Sequence, residues 1–141
     1  MAKSGSIIII DDDLDDQEIL TAAADELGVS NKLLFFTRCQ PAFEYLQTTE
    51  EQPFLILCDI NMPLMTGIEF KKQIDNDKRL RKKSIPFIFF STSTDKATVE
   101  EAFIELTVQG FFKKSYNVSE LKKTITIILE YWQLCKHPNA E

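Results

Sequence analysis

Two stretches decide the fold: Ile7-Ile8-Ile9-Ile10 running into Asp11-Asp12-Asp13, and Phe54-Leu55-Ile56-Leu57-Cys58 running into Asp59. Each is a continuous apolar run of strand length that ends in carboxylate, as expected of strands buried on both faces. If the two are parallel neighbours in one sheet, their carboxyl ends lie side by side and several acidic groups converge on one crevice. Like charges so close disfavour one another's ionisation, so an ionised cluster needs a metal ion or a fixed ammonium.

Three more runs read as strands, Lys32 to Thr37, Pro86 to Ser91 and Gly110 to Lys113, beside Ser6 to Ile10 and Phe54 to Cys58. Between them lie segments of helical spacing. The first, about Leu14 to Leu27, carries Asp15, Asp16 and Glu18 in its early turns and stops at Gly28. The second spans about Gln40 to Gln47, and the third begins near Thr66 and passes into a charged tail, Asp75 to Lys83, read as solvated surface. A fourth, about Asp95 to Gln109, sets Val99, Ala102, Phe103 and Leu106 at the spacing of a buried stripe; a fifth, about Val118 to Cys135, turns Leu121, Ile125, Ile128 and Trp132 inward. Five strands alternating with five helices predict an α/β fold with a doubly wound parallel sheet, order 2-1-3-4-5. The switch point then falls between the two strands that end in aspartate. Ile127, Leu129, Tyr131 and Leu134 lie outside the inward stripe of the last helix, where they either cap the core edge or await a partner.

Composition narrows the function. With 141 residues, 44% of them hydrophobic, the chain suits one domain, placed at 6–135 with flexible termini at 1–5 and 136–141. A net charge of -6 disfavours nucleic acid and anionic lipid. Cys39, Cys58 and Cys135 are odd in number and irregularly spaced, which points to reduced thiols and a cytoplasmic protein. No apolar run approaches the roughly twenty residues needed to cross a bilayer, and the stretch after Met1 to Ser6 is too short for a secretion signal.

Other strand ends bring Ser91 and Thr92, and Lys113 and Lys114, toward the acidic crevice. Carboxylate, hydroxyl and ammonium groups around a hard cation describe a phosphoryl-transfer site, and magnesium suits all-oxygen ligands that share the ion with water and phosphate. A calcium-loop reading of Asp11, Asp13 and Asp15 fails, because the sixth position is Asp16 rather than glycine and the twelfth is Ala22 rather than glutamate. Asp13, Asp15 and Asp16 are read as helix-start charges, Lys113 as a surface lysine by alternation, and His137 as part of the polar tail.

From Ser6 to about Cys135 the chain resembles the receiver domain of two-component response regulators, a flavodoxin-like (CheY-like) fold. Asp11 and Asp12 match its acidic pair, Asp59 in Cys58-Asp59-Ile60-Asn61-Met62-Pro63 its phosphoacceptor, and Gly67 its tight turn. Ser91 matches the switch hydroxyl, Phe111 the switch aromatic and Lys114 the lysine. The resemblance implies magnesium held by Asp11, Asp12, Asp59 and the backbone carbonyl of Asn61, with Asp11 acting through water. In the family, the positions occupied here by Asn61 and Ser93 influence how fast the phosphoryl group is lost, so the resemblance makes them candidates for tuning. It further implies a histidine kinase or histidine phosphotransfer protein as donor and a downstream protein target. A homodimer would form through the fourth helix, fifth strand and fifth helix. Such a stand-alone switch is not an enzyme beyond its own phosphotransfer and slow dephosphorylation.

Two departures stand out. Ser115 follows Lys114 where the family usually has proline after a cis peptide, leaving cis and trans both open. The charged stretch Asp75 to Ser84 resembles a subgroup with an extended third-helix region. Two competing functions remain: a haloacid-dehalogenase-like phosphatase with Asp11 as nucleophile and Asp13 as acid, and an interaction module that is never phosphorylated.

Overall fold

The structure is a computed structural model that describes residues 2–92, 95–106 and 108–136. Five parallel strands, β1 (Ile7–Ile10), β2 (Leu33–Phe36), β3 (Leu55–Cys58), β4 (Phe87–Ser91) and β5 (Gly110–Lys113), stand in the order β2-β1-β3-β4-β5. Helices α1 (Leu14–Glu26), α2 (Cys39–Thr48), α3 (Gly67–Asn76), α4 (Lys78–Lys83), α5 (Lys96–Glu105) and α6 (Val118–Leu134) cover both faces. The central strands β1, β3 and β4 are buried at every residue, which is why their sequences run apolar without alternation.

Alternate side chains along these strands feed two cores. Ile8, Ile10, Ile56, Cys58, Phe87 and Phe89 pack with residues of α2, α3, α4 and α5, including Ala42, Phe70, Leu80 and Ala102. Ile7, Ile9, Leu55, Leu57, Ile88 and Phe90 pack with Leu20 and Ala23 of α1 and Leu121, Ile125 and Ile128 of α6.

Local signals set the helix ends. Asp13 caps α1 by accepting the Asp15 amide, and Gly28 ends it at φ 69°, a left-handed conformation that glycine adopts without steric cost. Thr66 and Glu69 form a reciprocal capping box at the start of α3. Ala2–Ser4 form a 3-10 turn, and Lys3 Nζ donates to the Gln133 carbonyl at 2.6 Å, joining the amino end to α6.

Two expectations need correction. The tail Asp75 to Lys83 is not all solvated coil. Asp77 accepts the Leu80 amide, Leu80 is buried in the core, and the basic last turn of α4 faces its own negative dipole end, so a sixth helix forms. In α5, Ala102 and Leu106 are buried, but Phe103 is 52% exposed and Ile104 79%. Ala102 and Leu106 pack into the core, and Phe103, one position round from Ala102, falls outside that stripe.

Candidate functional site

The sheet brings the acidic runs together as the strand order requires. Ile10 of β1 is paired with Cys58 of β3, so those two strand ends lie level, while Cys58 pairs with Phe89 and β4 runs two residues further to Ser91. The ladder continues one residue past each strand: Asp11 N–H donates to Phe36 O, Asp59 N–H to Ile10 O and Lys114 N–H to Ser91 O. The backbones that carry the functional side chains are therefore held by the sheet itself rather than by a loop.

At their centre is the Lys114 ammonium, with 7% of the residue exposed. Its Nζ donates to Asp11 Oδ2 at 2.5 Å, to Asp16 Oδ2 at 2.8 Å and to Asp59 Oδ2 at 3.0 Å. The other oxygen of Asp59, Oδ1, accepts the Ser91 hydroxyl at 2.7 Å and the Asn61 amide at 3.3 Å. Asp11 Oδ1 accepts the Asp13 amide at 2.9 Å. Carboxylate oxygens of Asp11, Asp12 and Asp59 lie within 4.8 Å of one another, and Asp12 is exposed at the rim. That spacing and an all-oxygen donor set fit a hard divalent cation. Four carboxylates against one ammonium leave the site negative, which also favours a cation.

Burial pushes the Asp11 carboxyl up to about 6, against the opposing hydrogen bonds from Lys114 and the Asp13 amide. Burial also works against the charge on Lys114, but its bonds to Asp11, Asp16 and Asp59 outweigh that and raise it above the usual lysine range. The neighbouring Cys58 thiol is driven well up by burial and stays protonated.

Gly67 is fixed by close approach. A Cβ there would lie 2.2 Å from the Asp59 carbonyl oxygen, while the Gly67 amide donates to Ile60 O at 2.9 Å. The residue thus sets the path of the chain leaving Asp59. Phe111 is half-buried, its ring 5.8 Å from that of Phe89. Lys113 and Thr92 are exposed. Ser93 and His137 lie outside the described residues. Among the described residues no peptide is cis, so Lys114-Ser115 is trans.

One member of the site escapes the linear reading. Asp16, assigned above to the helix-start charges, is buried and ion-paired to Lys114. Its signal was periodicity: Asp16, Leu20 and Ala23 share the inward stripe of α1, and a carboxylate on a buried stripe needs a partner. Asp13 and Asp15 fit the helix-start reading, since the Asp13 carboxylate spends its contact on the Asp15 amide.

The fold and site thus define an open α/β domain with an acidic cluster at the switch point of its sheet. The model of the response regulator receiver domain matches residues 7–126, and the chain belongs to that family. It is 27% identical over 130 residues to the probable methanogenesis regulatory protein FilR2 of Methanothrix harundinacea, covering 89% of this chain and 82% of FilR2. The phosphorylated cyanobacterial phytochrome response regulator RcpA superposes with a TM-score of 0.84 at 26% identity, over 95% of this chain and 98% of RcpA. The Mn(2+)-bound form of response regulator Rcp1 gives a TM-score of 0.78 at 25% identity, over 94% of this chain and 99% of its own. The protein is thus a CheY-like receiver domain of two-component signalling. No helix of the described residues is long and apolar enough to cross a membrane.

Proposed function

We propose that Asp59 is the phosphoacceptor of a cytoplasmic signalling switch contained in residues 6–135. The carrying observation is the separate grip on its two oxygens, Ser91 on Oδ1 and Lys114 on Oδ2. A carboxylate oxygen of Asp59 attacks a phosphoryl group in line, forming a P–O bond as the P–N bond of a phosphohistidine breaks. The histidine nitrogen leaves with the bonding pair and takes up a proton from solvent. Ser91 and Lys114 then donate to oxygens of the bound phosphoryl group. Magnesium, held by Asp11, Asp12, Asp59 and the Asn61 carbonyl, would neutralise the phosphoryl oxygens. RcpA in its phosphorylated form and Rcp1 with Mn(2+) support this reading by likeness of fold.

The donor is a histidine kinase or histidine phosphotransfer protein. As Ser91 turns to the phosphoryl group, Phe111 follows and the α5–β5–α6 face changes shape, binding a downstream protein or a second copy of the chain. Exposed Phe103, Ile104, Ile127, Tyr131 and Leu134 suit that role, and nucleic acid is not a partner. Ser93 and Asn61 tune the lifetime of the acyl phosphate.

Incubation with acetyl phosphate and magnesium, read by intact mass, tests the assignment. One added phosphoryl group, absent in Asp59→Asn and in the presence of EDTA, is expected. An adduct that persists in Asp59→Asn overturns it.

A further inference from the structure

Lys114 has three carboxylate partners where the proposed chemistry uses only two. Asp11 and Asp59 belong to the group whose oxygens could hold a cation, and Asp16 does not. The Asp16 carboxylate, on the first turn of α1, is nonetheless buried and lies 2.8 Å from the ammonium. A divalent cation entering the site repels the ammonium and draws away two of its three counter-ions. What stays with Lys114 at that moment is Asp16.

We propose that Asp16 is a positioning residue of the phosphoacceptor site, an ion-pair anchor that keeps Lys114 in place while Asp11 and Asp59 turn to the cation. The proposal rests on the reading of Asp59 as phosphoacceptor. Asp16 touches neither the cation nor the phosphoryl group; it acts through the lysine. Its burial matters, because an ion pair shielded from water holds its geometry, whereas an exposed one contributes little. Without the anchor, the ammonium would stay on Asp11 and Asp59 and compete with the cation for them. Asp16 therefore helps both cation binding and phosphoryl capture.

The test is a double-mutant cycle of Asp16→Asn with Lys114→Met, in which Asp16→Ser repeats the first substitution with a smaller side chain. Two quantities are measured, the magnesium affinity by calorimetry and the rate of Asp59 phosphorylation by acetyl phosphate at saturating magnesium. With Lys114 present, Asp16→Asn should weaken magnesium binding and slow phosphorylation, each by about tenfold, the size of one charged hydrogen bond. With Lys114→Met in place, the same substitution should change magnesium affinity by less than about twofold, because its route of action has gone. Equal effects in both backgrounds, or none in either, overturn the proposal. A role confined to holding α1 together would lower the melting temperature and leave the cycle additive. If wild-type protein takes up no phosphoryl group on Asp59, the phosphoacceptor reading fails, while the magnesium cycle still decides whether Asp16 anchors Lys114.

Discussion

The carboxyl end of the sheet and the α5–β5–α6 edge break the same rule in opposite senses. At the first, Asp11, Asp16, Asp59, Ser91 and Lys114 are polar and buried; at the second, Phe103, Ile104, Ile127, Tyr131 and Leu134 are apolar and exposed. The first departure is met in part inside the chain, since each buried carboxylate has the Lys114 ammonium and Asp59 has Ser91 as well, and the negative charge that remains favours a cation. The second is left to solvent by the fold, and under the proposed function it is the face that a partner would cover. The two regions are joined through β4 and β5 and the Phe89–Phe111 contact, the connection that the proposed switch would use.

Asp59 carries the largest expected effect. Asp59→Asn should abolish phosphorylation by acetyl phosphate, seen as an unchanged intact mass, while the α5–β5–α6 edge keeps its basal state. Next comes Lys114→Met. It leaves Asp11, Asp16 and Asp59 buried without their ammonium, and denaturant unfolding in EDTA should show a loss of about 3–5 kcal/mol. Magnesium should restore part of that, whereas an effect near zero would mean that the buried carboxylates do not depend on the ammonium. Gly67→Ala forces a Cβ against the Asp59 carbonyl oxygen; it should cost about 1–3 kcal/mol and slow phosphorylation by moving the Asp59 backbone.

A pH titration of metal-free protein probes the buried end alone. The Asp11 carboxyl is raised from 3.8 to about 6 on folding, so between these values the native state binds more protons than the unfolded chain. This contribution therefore opposes folding above pH 6 and is relieved as pH falls from about 6 toward 4, on the order of 2 kcal/mol. In EDTA the difference between wild type and Asp11→Asn should vary with pH across that window, and a difference flat with pH would show that Asp11 is not raised. The smallest effect belongs to the exposed edge. Ile104→Ser or Tyr131→Ser should change stability by less than about 0.5 kcal/mol, yet lower self-association or target binding of the phosphorylated form.

Much of the fold is legible in the linear chain because the apolar strand runs are uninterrupted. Ile7 to Ile10 and Leu55 to Cys58 can be satisfied only by burial on both faces, which dictates helices above and below. Asp11, Asp12 and Asp59 are legible for a related reason: a carboxylate that ends a buried parallel strand falls at the crevice. Less legible were the elements in which one residue governs. In α4 one buried side chain, Leu80, stands within a basic stretch that reads as solvated surface, with Arg79 and Lys83 donating to the Thr49 carbonyl, and in α5 Ala102 marks the inward side and leaves Phe103 outside.

The alternation of strands and helices, the strands that end in acid, and the hydroxyl and lysine beside them are written in the linear chain, because they depend on local spacing and on strand order. That Asp16 belongs with Lys114, while Asp13 and Asp15 stay with the helix start, emerges from three-dimensional packing. Three aspartates within four positions look alike along the chain. Helical geometry turns one of them toward the sheet, and a buried carboxylate there is stable only because β5, nearly a hundred residues later, delivers an ammonium to meet it.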